Sequence, residues 1–179
     1  MNTKIIDHPY SIPDIDSHGS EVIHYDDPEF QVFARKNHNL AEYMPFPGLT
    51  LHYHPDIEMI YIRKGRAAYQ LNEKIIQMNE GDGIIVTPKQ LHLLLSAGVD
   101  HDLDCVIFHP SLLSTSPIIS KKYLPPVFGD MAPDCFVLRA ENAIDRSILQ
   151  KIEQITHLAL LSDREPDIIA LLHHIPGWV

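Results

Sequence analysis

His52, His54, Glu58 and His92 are the side chains of this sequence whose types and spacing could do chemistry. The first three stand in His52-Tyr53-His54-Pro55-Asp56-Ile57-Glu58, with Gly65 seven residues further on. The fourth closes a second patch, Gly81-Asp82-Gly83-Ile84-Ile85-Val86-Thr87-Pro88-Lys89-Gln90-Leu91-His92. Three imidazoles and one carboxylate suit a divalent transition metal that keeps coordination positions open, and the mixed donor set fits Zn, Fe, Ni, Mn or Co alike. The same residues could line a pocket as hydrogen-bonded polar groups without an ion. The spacing leaves both readings open.

These side chains need elements to bring them together. Alternate residues of a strand share a face, so His52 and His54 point the same way. Pro55-Asp56 turns the chain, and Glu58 is expected on a strand pairing antiparallel with that of the two histidines. His92 opens a later strand and would close the site from the opposite side. Short β-type segments run through Gln31–Arg35, Leu49–His54, Ile57–Arg63, Ala67–Leu71, Lys74–Met78, Ile84–Thr87, Leu91–Leu95 and Asp104–Phe108, with Phe136–Leu138 as one more. Turn signals at Lys64-Gly65, Asn72-Glu73 and Asn79–Gly83 separate them, which predicts a small antiparallel barrel or sandwich. Residues 1–20, with Pro9 and Pro13, read as an arm. Ser114–Asp134 reads as a proline-rich loop with at most a short helix.

After that loop the periodicity changes. Ile144, Ile148, Ile152, Ile155 and Ala159 recur every three or four residues, which predicts an amphipathic helix capped by Asn142 with Asp145 in its first turn. A second helix is predicted from about Asp163, with Pro166 in its first turn and Ile168, Ile169, Leu172 and Ile175 as its apolar face. The domain division is therefore arm (1–20), β domain (21–140) and helical segment (141–179). The helices must cover their stripe with the β wall or a second subunit.

Composition narrows the function classes. With 14 basic against 24 acidic residues, a formal charge of -10 speaks against nucleic acid gripped by this chain, because phosphate binding needs clustered Lys and Arg. Cys105 and Cys135 form no CxxC pair and read as thiols of a reducing cytosol. Apolar stretches fall far short of the ~20 residues of a membrane span, so a cytoplasmic, membrane-free protein is expected. No GxSxG elbow or phosphate loop is present, so any catalysis would be metal-centred.

The residues resemble the cupin superfamily. His52-x-His54-x3-Glu58-x6-Gly65 is similar to its first motif, and Gly81 to Pro88 with His92 to most of its second. The departures are at turn positions: Phe46 and Lys89 stand where cupins place glycine, and Ser96 where they often have Asn. A closer resemblance, over about residues 20–113, is to the N-terminal sensor domain of AraC/XylS-type transcription regulators. It is carried by His54-Pro-Asp-Ile-Glu58-Met-Ile-Tyr-Ile-Arg-Lys-Gly65, by Gln77 to Pro88 and by Leu103 to Leu113. That resemblance implies a mainly β fold, a double-stranded β-helix barrel followed by two α-helices. It also implies a small-molecule effector in the barrel, an arm folding over it, homodimerisation through the helices, and DNA bound only through a C-terminal helix-turn-helix region. The chain stops at Val179, before any such region. The alternative is a metal-dependent cupin enzyme, a dioxygenase or isomerase, with His52, His54, Glu58 and His92 as ligands.

Further pocket candidates follow from position. Ile60 and Ile62 share the face of Glu58. Tyr10, Tyr43 and Phe46 could form an aromatic lid or simply pack on the rim. Arg35 shares a face with Gln31 and Phe33; pointed inward it would bind an anion or sugar hydroxyls, and on an edge strand it would stand in solvent. His173 and His174 are expected in solvent, and His101 and His109 at loop edges.

Overall fold

Among the described residues, eight strands and two longer helices carry the apolar pattern of the sequence. The computed structural model describes residues 13–38, 50–97 and 100–175. The strands are β1 (Val32–His38), β2 (Ile57–Lys64), β3 (Arg66–Leu71), β4 (Lys74–Asn79), β5 (Gly83–Val86), β6 (His92–Ala97), β7 (Asp102–Phe108) and β8 (Cys135–Leu138). They form a five-stranded antiparallel sheet of order β1-β7-β2-β5-β8 and a three-stranded one of order β4-β3-β6. Helices α1 (Ala143–Leu158) and α2 (Glu165–His173) follow.

The larger sheet is buried on both faces, so its strands read as near-continuous apolar runs. Along β2, Ile57 and Met59 face the helices, whereas Ile60 and Ile62 face the smaller sheet. Strand β7 repeats the pattern, with Val106 and Phe108 toward the helices and Leu103, Cys105 and Ile107 inward. Two apolar clusters result, one on each side of the sheet. Ile148, Leu149, Ile152 and Ile155 of α1 pack into the outer cluster with Ile168 and Leu172 of α2.

The helix start is as expected: Asn142 accepts from the backbone N–H groups of Ile144 and Asp145. Ile144 is not part of the buried stripe, however; it is exposed in the first turn of α1, ahead of the first buried residue, Ile148. The segment after β7 holds more helix than its prolines suggested, with short turns of helix at Pro110–Leu113, Ile119–Tyr123 and Pro125–Phe128. Asn72, in the turn joining β3 to β4, adopts a positive φ of 51°, as a tight hairpin of this kind requires.

Gly83 marks the tightest approach between layers. A Cβ added there would lie 2.5 Å from Leu149 Cδ2 and closer still to the Ile60 carbonyl oxygen. Backbone cannot move aside as a side chain can, so Gly83→Ala is expected to lower the unfolding free energy by about 2–3 kcal/mol. A urea midpoint within error of the parent would contradict this.

Candidate ligand and metal site

The four candidate residues converge at one end of the space between the sheets. His52 and His92 face each other across a two-bond backbone bridge, each N–H donating to the other's carbonyl (3.1 and 2.8 Å). The 50–54 segment is thus no regular strand and does not pair with β2. Strand β2 pairs instead with β5 and β7, and brings Glu58 across from the larger sheet. The reason is topological: a corner at Pro55-Asp56 sends the chain from one sheet to the other, so neighbours in sequence become facing walls. All four side chains are buried, and their ligand-type atoms lie within 4.8 Å of one another.

The hydrogen bonds around the cluster orient it. His52 Nδ1 donates to the Thr50 carbonyl and His92 Nδ1 to the Gln90 carbonyl, each at 2.7 Å. A proton held on Nδ1 leaves Nε2 as the donor atom for a metal, with the backbone fixing ring orientation. His92 Nε2 lies 3.0 Å from Glu58 Oε2 yet makes no hydrogen bond, and His54 Nδ1 is buried without a partner. A lone pair facing a carboxylate at that distance is repulsive unless a cation intervenes or the ring takes a second proton. The donor set, its spacing and this unpaired nitrogen fit a divalent cation.

Glu58 is the hub. Its Oε2 is 3.2 Å from His54 Nε2, and its Oε1 accepts from the Tyr69 hydroxyl at 3.1 Å. Burial alone would push its carboxyl up, but His92 and then His54 outweigh that and hold it well below the usual carboxylate range. For His52, burial opposes the charged ring, and a bond to Glu21 with the Thr50 carbonyl prevails, raising it above the ordinary imidazole range. Glu21 Oε2 lies 3.2 Å from His52 Nε2. Burial pushes the Cys105 thiol well up, with the Glu58 charge adding to it, so this cysteine is not a ready nucleophile.

Above the cluster lies a cavity of about 280 Å³. Ile60 lines it with Phe33, Leu94, Leu103 and Ile107, while the polar part includes Glu21, Glu58, His52, His92 and Tyr69 together with Asp14 and His24. Ile62 is buried in the same inner cluster, farther along β2, and is not among the lining residues. Arg35 is on the inner face of β1 but is engaged: it forms a two-pronged bond to Asp26 (2.6 and 2.8 Å) and lies 4.3 Å above the Phe33 ring. It is therefore neither an exposed edge cation nor a lining residue of this cavity. Tyr10, Tyr43 and Phe46 lie outside the described residues.

Other histidines depart from expectation. His101 is buried just before β7, against Gly65. His173 is half-buried, its Nε2 donating to the Leu112 carbonyl at 3.1 Å, whereas His174 is exposed. Two residues of the site had no motif to announce them, Glu21 and Tyr69. Tyr69 carried one legible sign: a tyrosine on the inward face of a strand needs a partner for its hydroxyl.

Two antiparallel sheets enclosing a three-His, one-Glu cluster form a cupin-type fold, and residues 39–107 match the cupin domain family. Over 129 residues the chain is 31% identical to an uncharacterized HTH-type transcriptional regulator, YdeC, of Bacillus subtilis (strain 168). That match covers 68% of this chain and 43% of the relative, so the chain spans less than half the length of the curated protein it matches. Among solved structures, the AraC-like transcriptional activator CuxR matches 81% of this chain and 46% of its own, at 9% identity and a TM-score of 0.43. A cupin protein from Bacteroides fragilis matches 49% of this chain and 74% of its own, at 18% identity and a TM-score of 0.34. No helix among the described residues is long and apolar enough to cross a membrane.

Proposed function

We propose that this chain is the effector-sensing and dimerisation part of an AraC-type transcription regulator, with a divalent metal held by His52, His54, Glu58 and His92 at the floor of its pocket. The metal part rests on one observation: His92 Nε2, with Nδ1 committed to Gln90, faces Glu58 unpaired at 3.0 Å. The regulatory part is supported by the relationship to the HTH-type regulator. The helices lie on the outer face of the sheet whose inner face lines the pocket, so a change in pocket packing reaches them through one layer. DNA contact falls to a helix-turn-helix region outside residues 1–179, and two copies pair through α1 and α2.

A bound ion would supply a Lewis-acidic anchor for ligand oxygen. Elemental analysis after reconstitution with Zn, Mn, Fe, Co or Ni is expected to give about one ion per chain, falling at least about tenfold in affinity for His92→Ala. Less than ~0.1 ion per chain in the parent protein would sink the metal assignment. Sedimentation should give a dimer, retained in His54→Ala; a monomer would sink the pairing.

The opening of the cavity directly onto His52, His92 and Glu58 favours a second reading, a metal-dependent dioxygenase or isomerase. Oxygen uptake or substrate turnover by the metal-loaded chain, lost in His54→Ala, would establish it over the sensor.

A further inference from the structure

Residues 13–24 cross the mouth of the cavity as a strap. Ile15 bridges to Glu21 and Ser20 to Tyr53. Glu21 N–H donates to the Tyr53 carbonyl (2.9 Å) and Tyr53 N–H to the Gly19 carbonyl (3.0 Å). The strap contributes Pro13, Asp14, Val22, Ile23 and His24 to the cavity wall and turns one side chain, Glu21, onto His52.

We propose that Glu21 holds the place of the pocket's ligand, and that this ligand is a small carboxylate with an apolar body that docks on His52 in exchange for it. The proposal rests on the reading of this cavity as an effector pocket, but its ligand class comes from three separate features. First, His52 Nδ1 is committed to the Thr50 carbonyl, so Nε2 is the ring atom presented to the cavity. The group the protein sets against that atom, at 3.2 Å, is the carboxylate of Glu21.

Second, the other two anions of the site are already matched: Asp14 lies 3.1 Å from His24 Nε2. Glu58 accepts from the Tyr69 hydroxyl and faces His54 and His92 at 3.2 and 3.0 Å, the last contact balanced by a cation or a second ring proton, which leaves His52 as the contact for an incoming charge. A neutral ligand displacing Glu21 would leave that buried contact without its charged partner, a costly exchange. Third, most of the remaining wall is apolar, through Ile23, Phe33, Ile60, Leu94, Leu103 and Ile107, while the lining pair Asp14 and His24 is spent on its own 3.1 Å contact. At about 280 Å³, the space is at the small end for ligand sites, about 300–1,000 Å³. It suits a short aliphatic or single-ring acid.

Displacement would cost the strap its side-chain anchor while leaving its backbone bonds to Tyr53. The strap therefore loosens without being expelled, and ligand occupancy is written into the mobility of residues 13–24.

Calorimetry of the intact chain with hexanoate and hexanamide tests the charge requirement, since the two differ chiefly in their head group. It is run on metal-loaded and metal-free protein. Hexanoate is expected to bind about tenfold or more tighter than hexanamide. Glu21→Gln should strengthen hexanoate about tenfold and leave hexanamide unchanged, because the internal competitor has lost its charge. Protease cleavage within residues 13–24 should rise several-fold on hexanoate binding in the parent protein. Equal binding of acid and amide would overturn the carboxylate class while leaving a ligand pocket. Weaker hexanoate binding in both Glu21→Gln and Glu21→Ala, with unfolding midpoints unchanged, would overturn the exchange. Binding of neither compound would remove the pocket reading as well.

Discussion

Saturation with Zn²⁺ is expected to stabilise this protein by about 4 kcal/mol when the free ion stands at a thousand times its dissociation constant. For a chain of this length that is a rise of about 10 °C in melting temperature. The effect is large because four donors on three separate segments are assembled only in the native state, so binding free energy is folding free energy. Glu58→Ala should abolish the shift, since it removes the oxygen on which two imidazoles converge. An equal shift in Glu58→Ala, or none in the parent, would rule out this site as the metal's seat.

The pH dependence has opposite signs with and without the ion. Metal binding requires imidazoles free of the competing proton, so the zinc shift fades as the pH falls through the imidazole range, about 6.5. In the metal-free protein His52 titrates above its unfolded value. Its contribution is therefore fully present below the unfolded pKa, about 6.5, and is lost as the pH rises through the higher folded value. Thermal unfolding across pH 5 to 8, with zinc and with chelator, should give two curves of opposite slope in that window.

Ile152→Ala is expected to cost about 3–5 kcal/mol. Ile152 is fully buried in the cluster between α1 and the larger sheet, with Val106, Met59 and Leu149 in the same cluster. The lost methylenes leave a void that the sheet cannot fill, since its strands are fixed by pairing on both sides. By contrast Ile144→Ala, at an exposed position of the same helix, should stay within about 0.5 kcal/mol. Denaturant titrations of the pair measure the difference; similar losses would show that α1 is not seated as described. Zinc binding by Ile152→Ala, below its melting temperature, should persist, since the pocket lies on the other face.

Strand positions and the ligand set were legible because both are local. Period-two alternation and turn residues placed the eight strands of the described residues near their observed bounds, though the expected strand at Leu49–His54 is only an isolated bridge, and the spacing of His52, His54 and Glu58 marks the corner that leads into β2. Partnering was not legible. Nothing in the run from Leu49 to Arg63 states that β2 pairs with β5 and β7, because that choice is made by segments tens of residues away. Glu21 was missed for the same reason, since its role exists only once the strap docks on Tyr53. Lys89 shows how a departure from a motif can keep its geometry. It takes the positive φ (67°) that a glycine would supply, and its N–H donates to the His54 carbonyl at 2.8 Å.

The alternation along the larger sheet has a consequence for anyone editing this molecule. On β2, residues 58, 60 and 62 belong to the pocket side, and 57, 59 and 61 to the helix side. On β7 the inner set is 103, 105 and 107 and the helix side holds 106 and 108; on β5, 84 and 86 stand against 85. The pocket wall and the seat of the helices are thus interleaved on the same strands and separated by parity. A library restricted to the inner positions would retune what the pocket accepts while leaving the helix seat as it is. The complementary library would alter the helix seat and leave the pocket wall as it is. A single inserted residue in β2 would exchange the two sets at once, which makes that strand the least forgiving of length changes.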